Sequence, residues 1–165
     1  MTRDETLRQD RLVFYQQDVS ALETEMDEYL ELSKARAVLL VDRDGHLVTR
    51  RGEPMDVASE ESVAALIAGS FAATRELARL MGEPEFRVMS HQGGRDSIQL
   101  HLVGDRTLMA TLFDERTNLG MVRFYAAESC ERIESVLRRV QEEDRGAGLT
   151  AEFEAKASQI LDDLL

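Results

Sequence analysis

The chain of 165 residues has one cysteine, no tryptophan and two prolines, and aromatic residues make up 5% of it. A lone Cys130 excludes an internal disulfide framework and suits a reducing compartment. With so few prolines, long helices can run unbroken, and a hydrophobic share of 43% implies that most of the chain folds. The shortage of aromatics means that a ligand cavity of the kind found in small-molecule sensor domains would be lined by aliphatic side chains. Basic residues are also scarce, 20 against 32 acidic ones, for a net charge of −12. Sequence-independent attraction to nucleic acid or to anionic lipid is thereby excluded. No apolar run approaches the roughly 20 residues that a membrane span needs. The opening "MTRDETLRQD" lacks the apolar centre of a signal peptide. The expectation is a cytoplasmic domain with short extensions, no nucleic-acid partner and no membrane span.

Motifs for chemistry are equally sparse. His46, His91 and His101 are scattered over different segments, without metal-ligand spacing to one another or to Cys130. Cys130 itself falls on an apolar stripe and reads as a core residue rather than a nucleophile. "DRDG" at Asp42–Gly45 places its glycine too early for a calcium loop and suits a hairpin turn. "HQGGRD" has glycines but neither a Lys-Ser/Thr pair nor a following helix to hold phosphate. No catalytic residue, metal or cofactor is expected, and the chain is not expected to be an enzyme.

What is present is an alternation of patterns. From about Val13 to Ser33, Val19, Leu22, Met26, Tyr29 and Leu30 fall on one helical face. "ARAVLLVDRDGHLVTRRG" reads as a β-hairpin turning on Asp-Gly. A helix over 61–83 follows, begun by Ser59 or Ser62 and ended near Gly82 with Pro84 just beyond. "FRVMSHQ", "SIQLHLVG" and "LMATLFD" form a meander, and a helix from Thr117 to about Glu143 carries Leu119, Val122, Ala126, Cys130, Ile133, Leu137 and Val140 on one stripe. The order α-β-β-α-β-β-β-α predicts an α/β (α+β) sandwich with a five-stranded antiparallel sheet. An N-terminal extension is expected at 1–11, the domain at 12–143, a linker at 144–149 and an amphipathic tail helix at 150–165. The tail aligns Leu149, Phe153, Ala157, Ile160 and Leu164, and so short a helix is marginal until it docks. Its seat is either its own domain or a partner's groove.

The middle helix raises a question of its own. Val63, Leu66, Ile67, Phe71, Leu77 and Met81 make a core stripe, while Ala65, Ala68, Gly69 and Ala72 leave the opposite face bare before Arg75, Glu76 and Arg79. A mid-helix glycine costs about 0.5–1 kcal/mol relative to alanine. The bare face predicts close approach of another helix or protein. The plainer reading is that alanine is a good helix former that tolerates exposure.

"SVAALIAGSFAATRELARLMGE", "HQGGRDSIQLHLVG" and "LFDERTNLGMVR" together resemble the roadblock/dynein light chain family, in particular its bacterial MglB branch. The resemblance spans roughly residues 12–140, and "ILDDLL" is similar to the branch's C-terminal end. The stretch before Leu12 and the pair Arg75-Glu76 depart from the pattern. The resemblance implies a homodimer with joined sheets and paired middle helices. It also implies a Ras-like GTPase of the MglA type as partner, activated without an inserted arginine, in cell polarity or gliding motility. Partner and dimer contacts then fall to Ala65, Ala68, Gly69, Ala72, Arg75, Glu76 and Arg79, with a second contact at Phe153, Ile160, Leu161 and Leu164. A dimeric scaffold that binds without activating is the alternative.

Overall fold

The computed structural model describes residues 16–164. The expected helix start at Val13, the extension 1–11 and Leu165 lie outside the described residues. Among the described residues three helices and five strands follow in the expected order: α1 (Gln16–Ser33), β1 (Ala37–Asp42), β2 (Leu47–Gly52), α2 (Val57–Met81), β3 (Val88–Gln92), β4 (Ser97–Val103), β5 (Thr107–Phe113) and α3 (Leu119–Leu164). The sheet is antiparallel with strand order β2-β1-β5-β4-β3, so the first strand of the hairpin joins the last strand of the meander at its centre.

Layers on both faces of the sheet explain why "AVLLV" in β1 is apolar without alternation. Val38 and Leu40 point towards α1 and α3, where they meet Leu22, Met26, Tyr29, Ala126 and Ile133. Leu39 and Val41 point the other way, onto Ile67 and Phe71 of α2, beside Leu100, Leu102 and Leu108. Burial of such side chains stabilises the fold by about 1.5–3 kcal/mol each. Within the α1/α3 core the Tyr29 hydroxyl lies 2.8 Å from Thr111 Oγ1. Burial pushes the phenol well above its ordinary range. Cys130 is likewise pushed up to about 12 by burial, which keeps its thiol protonated and inert.

At one end of the sheet a charge network ties the connections together. Arg36 reaches Glu53 at 2.8 Å and Asp96 at 2.6 Å, while Arg116 reaches Glu53 at 2.7 Å and Asp114 at 3.0 Å. At the other end, Asp42 Oδ1 accepts from the backbone N–H groups of Asp44 and His46, closing the expected Asp-Gly turn.

Two boundaries differ from the sequence reading. Helix α2 starts at Val57, not at Ser59 or Ser62. Asp56 is its N-cap, with Oδ1 accepting from the Ser59 amide at 2.9 Å. Its C-terminal end is as expected: Gly82 adopts φ 74°, a left-handed cap that favours glycine. The larger difference is in α3, which is continuous through the expected linker and reaches Leu164 as one helix of 46 residues, about 69 Å long. Gly146 and Gly148 weaken the helix there by about 1 kcal/mol each. No proline interrupts it, and the Thr150 hydroxyl, rather than capping a new helix, donates back to the Gly146 carbonyl at 2.9 Å.

Candidate functional site

Helix α2 lies on its sheet face through Ala64, Ile67, Ala68, Phe71 and Ala78, all buried. That phase corrects the expected stripe. Ile67 and Phe71 are core as foreseen and Val63 is half-buried, but Leu66, Leu77 and Met81 are exposed, Leu66 to 73%. Ala68 is the opposite correction: it belongs to the expected bare face, yet it is only 6% exposed. Its small size has a local cause, because the β1–β2 turn passes directly over the helix there. A Cβ added at Gly45 would lie 3.2 Å from Ala65 Cα and 3.6 Å from Ala68 Cβ. Glycine in the turn and alanine on the helix let the two backbones meet, so close approach does occur, but within the chain. Gly69 has open space around it, with nothing within 4 Å of a built Cβ.

The outward side of α2 carries Leu66, Gly69, Ala73, Leu77 and Leu80, spaced three or four residues apart. Leu80 is 71% exposed. Such spacing puts them in one row, a seam of the kind by which one helix packs on another. Beside the seam, Val63, Leu66, Ile67 and Ser70 of α2 and His91, Ile98 and Leu100 of the sheet line an apolar groove of about 300 Å³. The groove ends at β3, which among the described residues pairs with β4 alone and so presents one open backbone edge. The opposite edge, β2, presents Arg50 and Arg51, and Arg51 is ion-paired with Asp27 at 2.8 Å. Charged side chains discourage strand addition there, whereas β3 ends in the uncharged "SHQ".

The other flank of α2 holds the remaining expected residues. Ala65, Ala72, Arg75, Glu76 and Arg79 are exposed, and Ala72, Arg75, Glu76, Arg79, Glu83 and Pro84 line a second concavity of about 420 Å³. Arg79 Nε donates to Glu76 Oε1 at 3.0 Å, and this hydrogen bond holds the Glu76 carboxyl below the usual carboxylate range. Arg75 makes no ion pair among the described residues. The structure thus groups Ala65, Gly69, Ala72, Arg75, Glu76 and Arg79 on one helix surface and removes Ala68 from it. Sequence reasoning missed Ala73 and Leu80, and it placed Leu66 and Leu77 in the core. The tail residues Phe153, Ile160, Leu161 and Leu164 are exposed on the projecting part of α3, apart from this surface.

Among the described residues there is no cluster of histidine, cysteine or carboxylate side chains that could hold a metal, and no helix long and apolar enough to cross a membrane. Residues 22–113 match the model of the Roadblock/LC7 domain. The chain belongs to the Roadblock/LC7 family. Solved structures agree with this Roadblock/LC7 assignment. Myxococcus xanthus MglB is 32% identical with a TM-score of 0.72, covering 78% of this chain and 96% of that one. The gliding protein MglB of Thermus thermophilus is 29% identical at the same TM-score and the same coverages. A structure described as MglB with tetrameric arrangement is 28% identical with a TM-score of 0.73. Among curated proteins no match was found. As a Roadblock/LC7 protein similar to MglB, the chain is of a regulatory rather than a typical enzymatic kind.

Proposed function

We propose that this chain activates a bacterial Ras-like GTPase of the MglA type, working as a homodimer and leaving the chemistry to the partner. The observation that carries the reading is the surface of α2. An exposed leucine seam runs beside an uncharged strand edge that is unpaired among the described residues, with a small-residue flank next to it. Pairing two seams and two β3 edges buries both and brings the two α2 flanks together as one platform.

GTP hydrolysis in Ras-like proteins is slow because the attacking water and the neutralising charges are not held in place. A platform that binds the switch loops only in their productive arrangement shifts that equilibrium without inserting a residue. The state of the arginines supports this mode, since Arg79 is already engaged by Glu76. Arg75 is the better challenger for an inserted role. Residues Phe153, Ile160, Leu161 and Leu164 of the projecting helix offer the GTPase a second contact.

Single-turnover GTP hydrolysis by the Ras-like partner tests the reading, with Ala65→Arg/Ala72→Arg blocking the flank. Acceleration that the double variant abolishes and Arg75→Ala retains is the expected result. If Arg75→Ala removes acceleration while binding persists, an inserted arginine does the work. Binding without acceleration makes the protein a scaffold.

A further inference from the structure

Beyond Val140 the α3 helix leaves the domain, and the described residues leave its apolar stripe open, with Phe153 exposed to 73%. At about 100° per residue, Leu149, Phe153, Ala157, Ile160 and Leu164 fall within an arc of about 80°, so the stripe runs straight along the helix. Four charged side chains border one side of it. Arg145, Glu152, Lys156 and Asp163 fall within about 40° of one another, and their signs alternate along the helix. Lys156 Nζ lies 3.1 Å from Glu152 Oε1 within the chain. Asp144 and Asp162 point to the far side of the helix and do not border the stripe.

We propose that this stripe packs on the same stripe of a second copy, the two helices running antiparallel about a two-fold axis level with Glu154. Such an axis sets the charged flank against itself in reverse order. Arg145 then faces Asp163 of the second copy, and Glu152 faces its Lys156, each contact occurring twice. The two exposed Glu152–Lys156 pairs merge into one cluster of four charges. Side-chain sizes agree with this register to within two residues, about 3 Å of rise. Phe153 meets Ala157 of the second copy, Leu149 meets its Ile160, and Leu164 meets its Gly146, where nothing lies within 4 Å of a built Cβ. Glu154 points about 100° away from the centre of the stripe and stays in solvent. A contact of this length buries less than the roughly 1,200 Å² of a stable interface, so its Kd is on the order of 0.1 mM. It lies apart from the α2 seam, and the inference does not depend on the GTPase reading. A GTPase that takes this stripe displaces the second copy.

Sedimentation equilibrium of the full chain carrying Leu66→Arg, which removes the α2 seam, tests it from about ten-fold below to ten-fold above that Kd. A concentration-dependent dimer is expected, and Phe153→Asp should abolish it. Arg145→Asp should raise Kd roughly 3–10-fold, because the lost ion pair occurs twice. Arg145→Asp with Asp163→Arg should return Kd to the parent value. In a parallel pair the exchange restores nothing, since positions 145 and 163 are then about 27 Å apart. A monomer at every concentration, a dimer indifferent to Phe153→Asp, or an exchange without recovery overturns the proposal. Disulfide trapping gives a second reading with Leu66 intact, in a Cys130→Ala background that removes the native thiol. Arg145→Cys with Asp163→Cys should link two chains at least ~10-fold faster than Arg145→Cys alone, as an effective-concentration advantage requires. Equal rates overturn the proposal as well.

Discussion

The buried His101 makes the protein's stability depend on pH in a way that can be calculated. It sits on β4 opposite Val88 and Met109, is 8% exposed, and has an Nδ1 without a hydrogen-bond partner among the described residues. Burial, aided by the nearby Arg123 charge, lowers its pKa from 6.5 to about 4. Between those two values the unfolded chain binds a proton that the folded chain refuses. Stability is therefore full above pH 6.5 and falls as the pH drops towards 4. At about 1.4 kcal/mol per unit the loss amounts to about 3 kcal/mol at most. The assay is urea unfolding at fixed protein concentration, so that self-association does not move the midpoint, at pH 7.5 and at pH 4.5. His101→Gln keeps a polar side chain that does not titrate, and it should lower stability less on acidification than the parent does. Equal losses in the two proteins would refute the burial argument.

Two further perturbations follow from the packing. Tyr29→Phe leaves the Thr111 hydroxyl buried without its 2.8 Å partner and should cost about 1–3 kcal/mol in chemical denaturation. Adding Thr111→Val should recover part of that loss, because both polar partners are then gone. Gly45→Ala should cost about 1–3 kcal/mol in the same assay. Its φ of 93° is unfavourable for a side chain, and the new Cβ meets Ala65 Cα at 3.2 Å.

The order of elements was legible because each boundary carries local chemistry: Asp-Gly in the hairpin, Gly82 and Pro84 after α2, glycines and aspartates between the meander strands. The sheet followed from the apolar run of β1 and the short connections. The phase of α2 was not legible. A helix that packs on its own sheet and also carries an exposed apolar seam is hydrophobic on two sides, and periodicity alone does not say which side is inward. Leu66 and Leu77 therefore read as core, while Ala68, which is core, read as surface because alanine suits either place. Its actual reason, the turn at Gly45 pressing on the helix, depends on a contact between segments twenty residues apart in sequence. The continuity of α3 was hidden for a different reason. Gly146 and Gly148 looked like a linker, but a glycine interrupts a helix only where another structure competes for the chain.

Titration of the Ras-like GTPase with this chain by calorimetry, in its GDP form and with a non-hydrolysable GTP analogue, tests the central claim most directly. The account predicts tight binding of the triphosphate form alone, at two chains per GTPase, with binding lost when Leu66→Arg splits the dimer into folded monomers. Binding that ignores the nucleotide, or that persists one-to-one in the Leu66→Arg monomer, would contradict it.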